Sequence, residues 1–219
     1  MPPEALLKIT TLGRSKPVGV LLLHGLFANS AFWLPYLRYF SHCRVTLVDI
    51  DYPALLAAPA PAPLAPLCQA LDALAGAAPG HLVAHSFGCV VGAGLRSAFA
   101  SRSFILPTFA AQAFDAARFA ADLDGRGHGQ GAAAPLFAAA LRHKAALAAR
   151  GSALYRPGDA LYLARDDPYF SYGPPVAPAG HAGGAPFPAL HDVTGGHFDI
   201  TQAVRALAAA RLGYTDQPG

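Results

Sequence analysis

Apolar residues in this chain fall in short blocks, each closed by turn chemistry. Val18 to Leu23 (VGVLLL) runs into His24-Gly25, and His81 to Ala84 (HLVA) runs into His85-Ser86. Val45 to Val48, inside CRVTLVDID, leads into Asp49 and Asp51. Phe104 to Leu106, Ala160 to Ala164 and Leu190 to Val193 are further blocks of this kind. Unbroken apolar runs of this length predict strands buried on both faces. Between them the pattern lengthens to a helical period. Ser30 to Phe40 reads as a short helix capped by Asn29 or Ser30, and Leu67, Leu71 and Leu74 recur at helical spacing. Phe87 to Ala100 predicts a helix with Gly88 and Gly92 on one side, and a last helix starts near Asp199 with Ile200, Val204 and Leu207 on one face. Residues 109–153 carry two helical segments, around Phe114 to Leu123 and Leu136 to Arg150, separated by the linker GRGHGQG at 125–131. The Pro-rich stretch 55–66 and the Gly/Pro-rich stretch 173–188 read as irregular. Strands alternating with helices predict an α/β fold, a mostly parallel sheet flanked by helices on both faces.

Length and composition narrow the class. The 219 residues suit one domain, spanning 1–219. Hydrophobic residues make up 53%, of which 48 are alanine, so the larger apolar side chains are about 31% of the chain, still ample for a core. Charged residues are 13%, too few for a self-repelling disordered chain. The net charge of +3 comes from basic residues scattered without a Lys/Arg run, which argues against a nucleic-acid partner. Cys43, Cys68 and Cys89 form neither a disulfide framework nor a metal spacing, and the nine histidines give no paired-ligand motif, so no metal is expected. MPPEALLKIT lacks the charged and apolar regions of a signal peptide, and no apolar run is long enough to span a membrane. The expectation is a free-standing, soluble, cytoplasmic protein.

Three motifs carry candidate chemistry. Ala84-His85-Ser86-Phe87-Gly88 sits where a strand runs directly into a helix. Such a turn exposes the Ser86 hydroxyl at the carboxyl edge of the sheet, and small residues two before and two after relieve the crowding of the backbone. The helix N-terminus there favours negative charge, so the Phe87 amide is a candidate oxyanion donor. His24-Gly25-Leu26-Phe27, after the VGVLLL strand, offers the Leu26 amide as the second donor, with His24 as a structural hydrogen-bonding residue. Thr194-Gly195-Gly196-His197-Phe198-Asp199, on a Gly-rich loop opening the last helix, offers His197 as a base. The acid that orients such a base is Asp167, just past the ALYLA strand and followed by Pro168, with Asp166 and Asp115 as rivals. Phe27, Phe109 and Phe114 are candidate substrate-binding residues lining an apolar channel, with Phe119, Leu123, Leu136 and Phe137 of the 109–153 segment beside them. Arg142, Lys144, Arg150 and Arg156 make the densest basic stretch, a candidate docking face for an acidic surface or a phosphate.

These motifs together resemble the α/β-hydrolase superfamily, whose nucleophile–acid–histidine chain order is matched by Ser86…Asp167…His197. AHSFGC and GGHFDI are most similar to its thioesterase branch. The likeness spans residues 18–212 and implies the α/β-hydrolase fold with a short helical lid at about 109–153. It implies release of an acyl chain from a carrier-protein or coenzyme A thioester, by hydrolysis or cyclisation and without a cofactor. The alternatives are a carboxylesterase for small oxoesters and a non-catalytic hydrolase-like binding module. The chain departs from the family pattern in Ala84, in Cys89 after the elbow, and in the A-x-x-D setting of Asp167. Where the family has a helix after its acid strand, 168–189 is rich in proline and glycine, which predicts coil along that edge.

Overall fold

The computed structural model describes residues 3–57, 64–75, 80–125, 136–143, 145, 154–173 and 188–215. Seven strands form one sheet: β1 (Leu7–Leu12), β2 (Val18–Leu23), β3 (Cys43–Ile50), β4 (His81–His85), β5 (Ser101–Ile105), β7 (Asp159–Ala164) and β9 (Ala189–Val193). Their order is β1-β3-β2-β4-β5-β7-β9. β1 is antiparallel to β3, and every other pairing is parallel. A two-stranded ladder, β6 (Ala113–Phe114) with β8 (Phe170–Ser171), stands apart from the sheet. The helices are α1 (Tyr52–Ala57), α2 (Leu64–Ala75), α3 (Gly88–Gly94), α4 (Ala116–Gly125), α5 (136–143) and α6 (Thr201–Leu212).

The apolar blocks become strands because each can be covered on both sides. The last four residues of β2 and all six of β7 are buried, as parallel strands between helical layers require. The register pairs Leu23 with Ala84 and Ala84 with Phe104, so β2, β4 and β5 end at one level and their outgoing turns meet at one edge. Among described residues no helix is long and apolar enough to cross a membrane.

The structure refines these expectations in detail. Ser30–Phe40 is a 3-10 helix, with Pro35 inside it and Asn29 as N-cap, its side chain accepting from the Ala31 amide at 2.9 Å. The helix predicted over 87–100 stops at Gly94. Leu95 is extended, and the Asp72 carboxylate takes the amides of Arg96 and Ser97 at 2.9–3.0 Å, capturing the donors a longer helix would use. The edge strand β1 was not expected, because LKITTL is mostly exposed and contains no apolar run. In the stretch expected to be coil, β8 forms a short ladder at its start, and 174–187 lies outside the described residues. So does most of the linker at 125–131.

At the opposite end of the sheet a buried ion pair clamps β5 to β7. Arg102 Nε donates to Asp159 Oδ1 at 2.8 Å, and its second donor meets Oδ2 at 2.5 Å. Both side chains are almost fully buried. This bidentate geometry, with the Leu154 carbonyl at 3.1 Å, offsets the desolvation of two charges, while the other terminal nitrogen of Arg102, Nη1, is buried without a partner among the described residues.

Candidate active site

Ser86 occupies the turn between β4 and α3 with φ of 53°, a left-handed conformation that an L-residue adopts only when its surroundings impose it. Three contacts do so. The Ser86 amide donates to the Ile105 carbonyl at 2.9 Å, and the Cys89 thiol reaches the carbonyls of Ala84 and Ile105 at 3.2 and 3.4 Å. Gly88 lies so close to β2 that a Cβ there would stand 2.4 Å from the His24 carbonyl oxygen. Ala84, where the family pattern has glycine, faces Gly92 of α3, where an added Cβ would stand 3.4 Å from the Ala84 methyl, so the glycine leaves that methyl room. Burial pushes the Cys89 thiol well above its usual value, so it stays protonated and acts as a donor.

His197 and Asp167 arrive from distant parts of the chain. The Ser86 Oγ–H faces His197 Nε2 at 2.9 Å, and His197 Nδ1–H donates to Asp167 Oδ2 at 2.8 Å. The side chains of His197 and Asp167 are 1% and 0% exposed, so this relay is shielded from water. The other oxygen of Asp167 accepts from the amides of Tyr169 and Phe170 at 2.9 and 3.0 Å, which fixes the carboxylate. The rival acids are elsewhere. Asp166 is exposed and accepts from the Gly195 amide at 3.2 Å, while Asp115 is exposed and accepts from the Arg118 amide at 3.0 Å. Arg165, next to Asp166 in the chain, pairs with Asp192.

The loop that carries His197 is held by His85. His85 Nε2–H donates to the His197 carbonyl at 2.9 Å, and its ring stacks on Phe32 at 4.6 Å. Burial holds His85 well below the usual histidine value, so it is neutral. His24 is structural, as expected. Its Nε2 accepts from the Ile50 amide at 3.0 Å, which makes Nδ1–H the donor to the Gly25 carbonyl at 2.8 Å. Burial lowers its pKa as well.

Leu26 and Phe87 both line the cavity beside Ser86, and among the described residues neither backbone amide has a hydrogen-bond partner. Gly25 permits this approach, since a Cβ there would stand 2.8 Å from the Ser86 Cβ. The cavity holds about 40 Å³, and its remaining wall is Thr108, Phe114, Phe119, Phe137, Ala140, Leu141 and Phe170. Of the three predicted substrate-binding residues, Phe114 lines it. Phe27 stands one layer back against Phe119 and Phe137, and Phe109 packs on Phe104 and Tyr155. Thr108, Phe170 and His85 were not singled out by the sequence. Phe170 enters because the β6–β8 ladder stacks it on Phe114, with ring centroids 4.5 Å apart. Of the basic stretch, Arg142 is exposed, Arg156 is engaged by the carbonyls of Leu95 and Ser97, and Lys144 and Arg150 lie outside the described residues. Among described residues no cluster of His, Cys, Asp and Glu gathers to hold a metal ion.

No family model and no curated protein sequence matches the chain. Its fold does match solved structures. The NocB thioesterase domain from the nocardicin cluster is 16% identical, with 94% of this chain and 99% of that chain covered at a TM-score of 0.58. The carboxylesterase CesB (YbfK) from Bacillus subtilis is 14% identical, with 94% and 86% covered at 0.59. A putative epoxide hydrolase from Pseudomonas aeruginosa is 17% identical, with 94% and 90% covered at 0.55. The chain has the α/β-hydrolase fold.

Proposed function

We propose that the protein is a serine hydrolase that releases an acyl group from a thioester. The observation that carries this is the buried relay from Ser86 through His197 to Asp167, opening on an apolar cavity. In this reading Ser86 Oγ attacks the acyl carbonyl while its proton passes to His197 Nε2, and Asp167 stabilises the imidazolium. The amides of Leu26 and Phe87 receive the oxyanion, each such donor contributing about 2.7–4 kcal/mol to the barrier reduction. Collapse expels the thiolate, which takes the proton from His197. Water then adds to the acyl-enzyme, with His197 again as base, and the carboxylic acid leaves; an internal nucleophile in place of water gives a cyclic product.

The nucleophile itself supports acyl transfer over epoxide opening. A serine that opened an epoxide would be left as an ether, with no carbonyl for water to attack. The thioester reading takes further support from the NocB likeness and from the wall of Phe114, Phe119, Phe137 and Phe170, which desolvates an acyl chain better than a polar one. If an acyl-carrier protein delivers the chain, the exposed Arg142 is a candidate contact for its acidic surface. Arg142→Glu then raises KM for the carrier-bound substrate and leaves a small thioester unchanged.

The test is steady-state hydrolysis of one acyl group presented as a pantetheine-type thioester and as an oxoester, with Ser86→Ala in parallel. A thioester preference well beyond intrinsic reactivity, abolished in Ser86→Ala, supports the reading. Preference for the oxoester makes the protein a carboxylesterase. Equal turnover by Ser86→Ala overturns the assignment of the nucleophile, and no turnover of either substrate favours a binding module.

A further inference from the structure

The cavity beside Ser86 is walled by eight apolar residues, Ser86 itself and one other polar side chain, Thr108. Thr108 is nine-tenths buried, and among the described residues its hydroxyl has no hydrogen-bond partner. A buried hydroxyl without a partner destabilises the fold, whereas valine would fill the same space at no such cost. The turn that carries Thr108 is unusual too. Leu106 has φ of 48°, and its amide donates to the Tyr162 carbonyl at 2.9 Å, after which Pro107 leads into the short 3-10 helix Thr108–Ala110. Only three non-glycine residues among those described have positive φ: Phe27, Ser86 and Leu106. They follow β2, β4 and β5, so all three lie at the edge of the sheet where the site is built. Strained backbone concentrates where a fold must aim a group at a ligand.

We propose that Thr108 determines specificity by hydrogen bonding to an oxygen substituent on the acyl chain, so that hydroxyacyl or oxoacyl groups are selected over plain alkyl acyl groups. This rests on the acyl-transfer reading of Ser86. A hydroxyl both donates and accepts, so Thr108 serves a substrate hydroxyl or a ketone equally. In a cavity otherwise lined by Phe and Leu, it is the one side chain besides the nucleophile that can recognise such a group. A chain without the oxygen leaves the hydroxyl unpaired and binds less well, the asymmetry by which polar sites discriminate.

The experiment compares kcat/KM for N-acetylcysteamine thioesters of hexanoate, 2-hydroxyhexanoate, 3-hydroxyhexanoate and 3-oxohexanoate. Wild type, Ser86→Ala, Thr108→Val and Thr108→Ser are assayed, with circular dichroism melting to show that each is folded. The expected result is a wild-type preference of at least about tenfold for one oxygenated chain over hexanoate. In Thr108→Val the ratio of kcat/KM for the oxygenated chain to that for hexanoate falls to about one, while Thr108→Ser retains the preference. Equal slowing of all four substrates in Thr108→Val overturns the inference and makes Thr108 part of the general machinery. A wild type that hydrolyses all four without preference also overturns it, leaving the Ser86 reading intact. If wild type turns over none of them, or if Ser86→Ala turns over all, the acyl-transfer reading falls first and this inference with it.

Discussion

Replacing Asp167 by asparagine separates the three candidate acids by their surroundings. The Asp167 side chain is fully buried and accepts three hydrogen bonds. Two go to one oxygen, from the amides of Tyr169 and Phe170 at 2.9 and 3.0 Å. An asparagine of the same volume keeps its carbonyl oxygen on those two amides, which turns its NH2 toward His197 Nδ1. Two donors then face each other. The imidazole escapes by moving its proton to Nε2, and in that tautomer it cannot take the proton of Ser86. With geometry retained and the tautomer wrong, kcat falls by about 10⁴, or about 5.5 kcal/mol of barrier. Asp166→Asn still offers an oxygen to the Gly195 amide from an exposed site and loses less than about threefold; Asp115→Asn behaves alike with the Arg118 amide. The assay is single-turnover thioester hydrolysis at neutral pH, followed by thiol release, with far-UV circular dichroism to show that the variants are folded. Asp167→Asn within tenfold of wild type, or a thousandfold loss in Asp166→Asn, would refute the placement of the acid.

Other parts of the structure carry their own consequences. His85 is held neutral by burial, so as pH falls through about 6.5 the unfolded chain takes a proton that the fold refuses. Its contribution is complete above that pH and drains away below it, by at most about 1.4 kcal/mol per pH unit. His85→Phe should therefore flatten the acid side of a melting-temperature profile, and an unchanged slope would contradict this. Gly88→Ala drives a Cβ against backbone oxygens at 2.4 and 2.8 Å and should cost about 1–3 kcal/mol in urea unfolding, with activity lost alongside. Unaltered stability would mean that the elbow is looser than described. Arg102→Met strands the Asp159 carboxylate in the core and should cost about 3–5 kcal/mol. Adding Asp159→Leu should recover much of that loss, and strict additivity of the two changes would refute the pairing.

The sheet was legible where a strand is covered on both faces, because burial on both sides leaves an unbroken apolar run. β2, β4 and β7 are of this kind, and their blocks were read within one residue of their ends. β1 escaped because an edge strand with exposed Lys8, Ile9 and Thr10 carries no such signal. The pieces around Ser86 and His197 were legible because the backbone itself demands glycine there, as at Gly88, and because Gly195 has φ of 116°. Asp167 could be ranked but not separated from Asp166 by sequence alone, since the two differ only in which way the turn after β7 points them. Phe170 and Thr108 left no trace in spacing. Their places follow from the β6–β8 ladder and from the turn at Leu106, which tertiary contacts impose. Phe27 and Phe109 carried the right chemistry in the right segments, but packing placed them behind the cavity wall.

The most direct test of the central claim is where a fluorophosphonate reacts. Intact-protein mass spectrometry with peptide mapping should find one phosphonyl adduct, on Ser86, absent from Ser86→Ala and strongly slowed in His197→Ala. An adduct on another residue, or labelling of His197→Ala at the wild-type rate, would contradict a Ser86 activated by His197 and Asp167.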